Sequence, residues 1–535
     1  MKASRKSVVI WLIPTAGLIF LFIAVACGCY SGRAPHYTAQ SPMLAVNPVK
    51  VVTVEGEDPR FHTEAYERIY ENPFMAVADN PLSTFSIDVD TASFSNMRRF
   101  INDGQRPPAD AIRIEELINY FSYDYPEPKA GEPFSVSAEV ASCPWNSEHK
   151  LVHIGLQGRA LALKDLPPRN LVFLIDVSGS MHDARKLPLL KAAFRLLTKQ
   201  LDGRDRVSMV VYAGASGLVL QPTSGAENET ILAAFDKLSA GGSTNGGAGI
   251  RLAYNVAREN FIKGGINRVI LATDGDFNVG TTSHSELVRL IEKERESGVF
   301  LTVLGFGTGN YKDSTMEKLA DKGNGNYAYI DTIHEARKVL VTQAGATLVT
   351  IAKDVKIQVE FNPTKVNAYR LIGYENRLLR AEDFNDDTKD AGEIGAGHTV
   401  TALYEIVPAG VEVTTSKVDA LKYQDSRSLT EAAQSSELLT LKLRYKEPDQ
   451  NTSKLIGGSI EDRGDQLESA SQSYRFSAAV AAFGMLLRDS KYKGAASFAM
   501  VNDLARGALG KDPHGYRQEF LGLVTKAEKI KLDHD

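Results

Sequence analysis

The 535-residue chain has only three cysteines, Cys27, Cys29 and Cys143. Two of them close an N-terminal apolar run, so Cys143 stands alone in the folded body and no intramolecular disulfide framework is open to it. A lone cysteine of this kind reads as a small buried hydrophobe. An excess of charge is equally lacking: 61 basic against 66 acidic residues leave a net charge of -5, which gives no basic footprint for nucleic acid. Ser178 is not part of a Gly-x-Ser-x-Gly elbow, and His182 beside Asp183 reads as a solvated pair at a helix start rather than a general base. The apparent absence of a general base is consistent with binding more than turnover.

The length allows about two to four domains. Lys2, Arg5 and Lys6 precede an uncharged, mostly apolar run from Val8 to Ala26. This pattern is an export signal, with the positive flank on the cytoplasmic side. Ala24-Val25-Ala26 before Cys27 resembles a bacterial lipobox, so Cys27 is the expected lipidation site, with Cys29 as the alternative. An apolar run of this length also admits an uncut membrane anchor. Residues 1–29 are therefore read as signal and anchor. Residues 30–80, rich in Pro, Ser, Thr, Glu and Asp, are read as a tether with one short helical turn at Tyr66–Tyr70.

The informative stretch is Leu171-Val-Phe-Leu-Ile-Asp176-Val-Ser178-Gly-Ser180. Five apolar residues fit a strand covered on both faces, as in parallel sheets. In an extended or turning segment alternate side chains point the same way, so Asp176, Ser178 and Ser180 converge beyond the strand end. One carboxylate and two hydroxyls are hard oxygen ligands, suited to Mg²⁺, Mn²⁺ or Ca²⁺ rather than zinc. The stretch resembles the start of the metal-ion-dependent adhesion site of von Willebrand factor type A domains. That resemblance implies two further ligands, Thr244 in Gly241-Gly-Ser-Thr244-Asn and Asp274 in Val269-Ile-Leu-Ala-Thr-Asp274-Gly275. It also implies a divalent cation, most simply Mg²⁺, and an open position that takes an acidic side chain from a partner protein. Asp276 and Asn278 are candidates for an outer role, and Gly246, Gly247 and Gly249 are expected to keep the Thr244 loop compact.

Around this stretch, residues 168–348 alternate helix and strand, which implies an α/β fold with a doubly wound, mostly parallel sheet. Leu187, Leu190, Phe194, Leu197 and Leu201 lay one apolar stripe on a first helix; Ile250, Tyr254, Ala257 and Phe261 do so on a later one. Residues 81–165 read as a small α+β module, and 351–535 as a β-rich domain ending in helices. Within the first module, Ile87-Asp88-Val-Asp90-Thr91 matches the opening motif of haloacid-dehalogenase phosphatases, but the module is too short for that fold, and a capped turn is the preferred reading. Asp383-Phe-Asn385-Asp-Asp387 is rejected as a calcium loop, because Thr388 replaces the required glycine and Ile394 the required glutamate.

The whole order is similar to that of YfbK-like bacterial lipoproteins, through Phe85-Ser-Ile-Asp-Val-Asp-Thr91, Ile394-Gly-Ala-Gly-His-Thr399 and Ala478-Ala-Val-Ala-Ala-Phe-Gly484. The expectation is a lipid-anchored protein of the bacterial cell envelope, at the outer membrane facing the periplasm or the cell surface, since no aspartate follows either cysteine. It grips a partner protein through a metal-bridged carboxylate and is not an enzyme. A metal-dependent phosphatase or hydrolase, and a structural protein with a vestigial site, are the alternatives.

Overall fold

In the computed structural model, residues 64–162, 165–242, 246–275, 284–309, 311–343, 349–415 and 428–532 are described. Strands β1 (Met75–Ala76) and β2 (Leu82–Ser86) lead into helices α1 (Ala92–Asn102) and α2 (Ile114–Asn119), then into the hairpin of β3 (Phe134–Ser142) and β4 (Lys150–Gly158). Strand and helix then alternate: β5 (Arg169–Asp176), α3 (Leu187–Thr198), β6 (Arg206–Tyr212), β7 (Ser216–Ser224), α4 (Asn228–Asp236), α5 (Gly246–Glu259), β8 (Ile266–Thr273) and α6 (His284–Arg295). The same alternation closes with β9 (Val299–Phe306), α7 (Asp313–Lys322), β10 (Tyr327–Ile330) and α8 (Ile333–Arg337). Seven strands follow, β11 (Thr350–Phe361), β12 (Val366–Ile372), β13 (Leu378–Leu379), β14 (Gly392–Gly395), β15 (Thr399–Pro408), β16 (Glu437–Lys446) and β17 (Lys454–Glu461). Three helices end the chain: α9 (Gln472–Arg488), α10 (Phe498–Arg506) and α11 (Tyr516–Leu532).

The middle stretch forms the doubly wound sheet that its alternation implies. The order is β10-β9-β8-β5-β6-β7, parallel throughout except that β7 pairs antiparallel with β6 at the edge. Every residue of β5 is buried. Its side chains alternate between two cores, as the two-residue repeat of a strand dictates. Val172 and Leu174 pack with Ile250, Tyr254 and Ala257 of α5, while Leu171, Phe173 and Ile175 pack with Leu190, Phe194 and Leu197 of α3. Phe261 departs from its expected place: it lies beyond the end of α5 and is exposed. Gly246, Gly247 and Gly249 belong to the first turn of α5 rather than to a loop.

The flanking segments, separate in the sequence reading as 81–165 and 351–535, share their sheets. One sheet runs β1-β12-β15-β4-β3 and the other β13-β2-β11-β16-β17, with β14 pairing β11. Thus β2 is held between β11 and β13, and β4 between β3 and β15. A short isolated strand or hairpin is marginal in water, and here each finds its partners in the distant segment. The two sheets pack face to face through Phe85, Val152, Ile154, Ile357, Val359, Tyr404 and Leu441. Helices α1, α2 and α9 to α11 cover the outer face of the first sheet, where Leu151 and Leu403 meet Phe121, Phe476 and Phe520. Cys143 is free and buried in that helical core, as expected.

The tether reading fails for residues 64–80, which are part of the folded body. Ile69 N donates to Asp110 Oδ1 at 3.0 Å, Asn72 Nδ2 donates to the carbonyls of Leu371 and Gly373 at 3.1 and 2.8 Å, and the Phe74 ring meets those of His149 and Tyr492. No helical turn forms at Tyr66–Tyr70. Polar side chains hide such an attachment in the sequence, because their bonds go to backbone groups of remote strands.

Asp88 and Asp90 belong to a charge cluster around Arg377 rather than to a capped turn. Thr91 makes no side-chain cap bond at the start of α1. Arg377, just before β13, lies 3.3 Å from Asp88, 3.6 Å from Asp90, 3.1 Å from Glu317 and 2.6 Å from Asp321. Asp90 Oδ1 also accepts the Tyr327 amide at 2.7 Å. The motif therefore ties the N-terminal strand to α7, β10 and the C-terminal segment through one buried charge cluster. The Asp383–Asp387 loop is likewise occupied from within: Lys356 Nζ donates to the Asp383 carbonyl at 3.0 Å.

Candidate metal centre

Asp176 ends β5, and Asp274 directly follows β8, its parallel neighbour. Both lie beyond the carboxyl ends of the strands, where open α/β sheets place their ligand sites. Asp176 Oδ1 accepts the Ser178 amide at 2.9 Å, and Oδ2 accepts from the Thr273 hydroxyl at 3.3 Å. The Ser178 and Ser180 hydroxyls lie 3.0 Å apart. Ser180 reaches this position through a tight turn over Gly179–His182 rather than through continued extension. His182 and Asp183 are exposed beside it, as their sequence suggests.

Burial pushes the Asp176 carboxyl up to about 6; the hydrogen bonds from Ser178 oppose this and the charge of Asp274 adds to it. Asp274 is buried and accepts from Lys186 Nζ at 2.8 Å. Thr273 and Lys186 are the two contributors that the sequence reading missed. The last residue of a strand before an aspartate is a place to look for an orienting hydroxyl, whereas nothing around Lys186 marks its ammonium as buried.

Thr244, Asp276 and Asn278 lie outside the described residues, as do Cys27 and Cys29. The approach to Thr244 is nonetheless fixed at Gly241 and Gly242. Gly241 N donates to the Val177 carbonyl at 2.7 Å, and the Gly242 carbonyl accepts from Gly179 N at 3.0 Å. These bonds bring the strand-end turn and the Gly241–Gly242 stretch together.

The donor set suits a hard divalent ion. Two carboxylates and two hydroxyls, all oxygen, belong to Mg²⁺, Mn²⁺ or Ca²⁺ chemistry, with water completing the shell. Among the described residues no group of three His, Cys, Asp or Glu side chains can hold a metal, so hydroxyl and water ligation is essential to any ion here. The ammonium against Asp274 demonstrates that positive charge is accommodated at this carboxylate.

Gly275 fixes the turn after Asp274. Its φ is +92°, and an added Cβ would stand 2.6 Å from Lys312 N and 3.0 Å from Tyr311 Cα. Gly275→Ala is therefore expected to lower stability by about 1–3 kcal/mol through backbone strain, with the clash added. Chemical unfolding measures this, and an unchanged midpoint would show the turn to be more pliant than its geometry.

Comparison with known proteins agrees with this architecture. The family described as "Uncharacterized protein YfbK, C-terminal" matches residues 346–530, "von Willebrand factor type A domain" matches 170–342, and "von Willebrand factor" matches 60–153. "Uncharacterized protein YfbK" of Escherichia coli (strain K12) is 45% identical over 476 residues, 88% of this chain and 82% of that protein. "Inter-alpha-trypsin inhibitor heavy chain H4" of Sus scrofa is 29% identical over 164 residues, 30% of this chain and only 18% of that protein. Among solved structures, "von Willebrand factor type A from Catenulispora acidiphila" is 16% identical, covers 71% of this chain and 88% of that one, and has a TM-score of 0.38. The near full-length identity, joined to a type A sheet set between two halves of a shared sandwich, places the chain in the YfbK family of von Willebrand factor type A domain proteins.

Proposed function

We propose that the chain is a lipid-anchored, extracytoplasmic binding protein that holds an acidic side chain of a partner protein through a shared divalent ion. The supporting observation is the convergence of Asp176, Ser178, Ser180 and Asp274 at adjacent strand ends, with the Gly241–Gly242 stretch hydrogen-bonded beside them. In this reading Asp176, Ser178, Ser180, Thr244 and Asp274 hold the ion, by preference Mg²⁺, with Mn²⁺ or Ca²⁺ as substitutes. When bound, the ion supplies an electrophilic position that a carboxylate completes.

The chain's own residues do the rest. Thr273 and the Ser178 amide orient the Asp176 carboxylate, and burial strengthens each electrostatic contact made there. The anchor is assigned to Cys27, with Cys29 as the alternative, and the location to the bacterial cell envelope, at the outer membrane facing the periplasm or the surface. Calorimetric titration of Mg²⁺ and of Mn²⁺ into the metal-free full chain tests the reading. Saturable single-site binding is expected, and the absence of any binding would overturn it.

A further inference from the structure

Lys186 is an unusual companion for a cation site. Its ammonium lies 2.8 Å from Asp274 Oδ2, with the two side chains 9% and 0% exposed. Its backbone is fixed at the start of α3: Lys186 N donates to the Asp183 carbonyl at 3.0 Å, and its own carbonyl accepts the Leu190 amide at 2.9 Å. The stem runs against Gly307, at φ +74°, where any Cβ would overlap the Lys186 methylenes. Gly307 is itself pinned, its carbonyl accepting from the Tyr329 hydroxyl at 2.6 Å. The side chain thus lays its stem against Gly307 and sets its charged end on a candidate metal ligand.

We infer that Lys186 is the internal counter-ion of the site, and that a divalent ion engages Asp274 only by displacing the Lys186 ammonium. This rests on the reading of the site as a metal centre. A monovalent ammonium and a divalent ion at one carboxylate repel each other strongly in a buried setting, where the effective dielectric is well below that of water. Lys186 therefore neutralises Asp274 when the ion is absent and raises the ion concentration needed to fill the site. By linkage, what weakens one partner's hold on Asp274 strengthens the other's. Lys186 acts as a positioning residue, tuning the site through Asp274 rather than touching the partner.

The test is Mg²⁺ titration of the full-length protein and its K186M, K186R and D176N variants, each followed by calorimetry. Lys186→Met keeps the stem and removes the charge, so half-saturation should fall by roughly tenfold or more, within the range of ordinary coupling. Lys186→Arg keeps the charge and should stay near the native value. Unchanged or weaker binding in K186M, while D176N abolishes binding, would overturn the inference and leave the metal centre standing. Binding in none of the proteins would overturn both.

Should K186M not fold, the native protein gives the answer. Reductive methylation read by peptide mass spectrometry is expected to label Lys186 faster in Mg²⁺ than in chelator. Equal protection in both would sink the counter-ion role.

Discussion

Asp176→Asn is expected to abolish Mg²⁺ binding while raising the thermal midpoint of the metal-free protein. The two effects come from one cause. Asp176 is held in a buried strand end, and its carboxyl is pushed up to about 6 by that burial. A carboxyl raised in the folded state contributes stability below its unfolded value, near 4, and that contribution is lost as pH rises through about 6. At pH 7 the native side chain is thus ionised at a cost, which the neutral amide removes. The gain in midpoint should be present at pH 7 and 8 and vanish below about 4, where the native carboxyl is protonated in both states. Mg²⁺ should raise the midpoint of the native protein and leave the variant unmoved. A variant less stable than the native chain in chelator at pH 7 would refute the argument.

The second large effect concerns Arg377→Met. Removing one member of a buried charge cluster leaves its partners unpaired, at about 3–5 kcal/mol. Asp88, Asp90, Glu317 and Asp321 all lie within 3.6 Å of the Arg377 guanidinium. Arg113 remains on Glu317 and Asp313, so the loss falls mainly on Asp88, Asp90 and Asp321. Burial already pushes Asp88 up to about 8 and raises Asp90, even with Arg377 present. Without it both rise further, so the damage should be small at pH 6, where the carboxyls are protonated in both proteins, and grow at pH 9, above the native value of about 8. Denaturant unfolding at the two pH values separates this from simple loss of packing, which would be the same at both.

The inserted sheet was largely legible in the sequence because its signals are local. Leu171–Ile175 and Val269–Ala272 announce buried parallel strands, and Asp176, Ser178 and Ser180 follow the first within a few residues. Asp274 came through the resemblance to type A domains, which implies a second aspartate at such a strand end. What escaped depends on distant partners. Lys186 meets Asp274 from 88 positions away, and Glu64, whose Oε1 accepts the Gly309 amide at 3.0 Å, does so across 245. Asp88 and Asp90 were misread for the same reason, since the guanidinium that explains them belongs to a remote turn. The pairing of β2 with β11 was equally hidden: each strand shows its own alternation, but neither carries a mark naming its neighbour.

That pairing has a kinetic consequence. Among the described strands, β1 and β2 have no partner until β11, β12 and β13 have been delivered, whereas the inserted sheet is complete once β10 is in place. The insert can close on its own contacts, while the enclosing sandwich must bring together chain ends separated by the whole insert. Long-range strand pairing of this kind is slow and leaves strand edges open to other chains. During the emergence of the chain, β1 and β2 are therefore the segments most in need of protection from aggregation, and the early folding of the insert shortens the effective loop that their partners must cross.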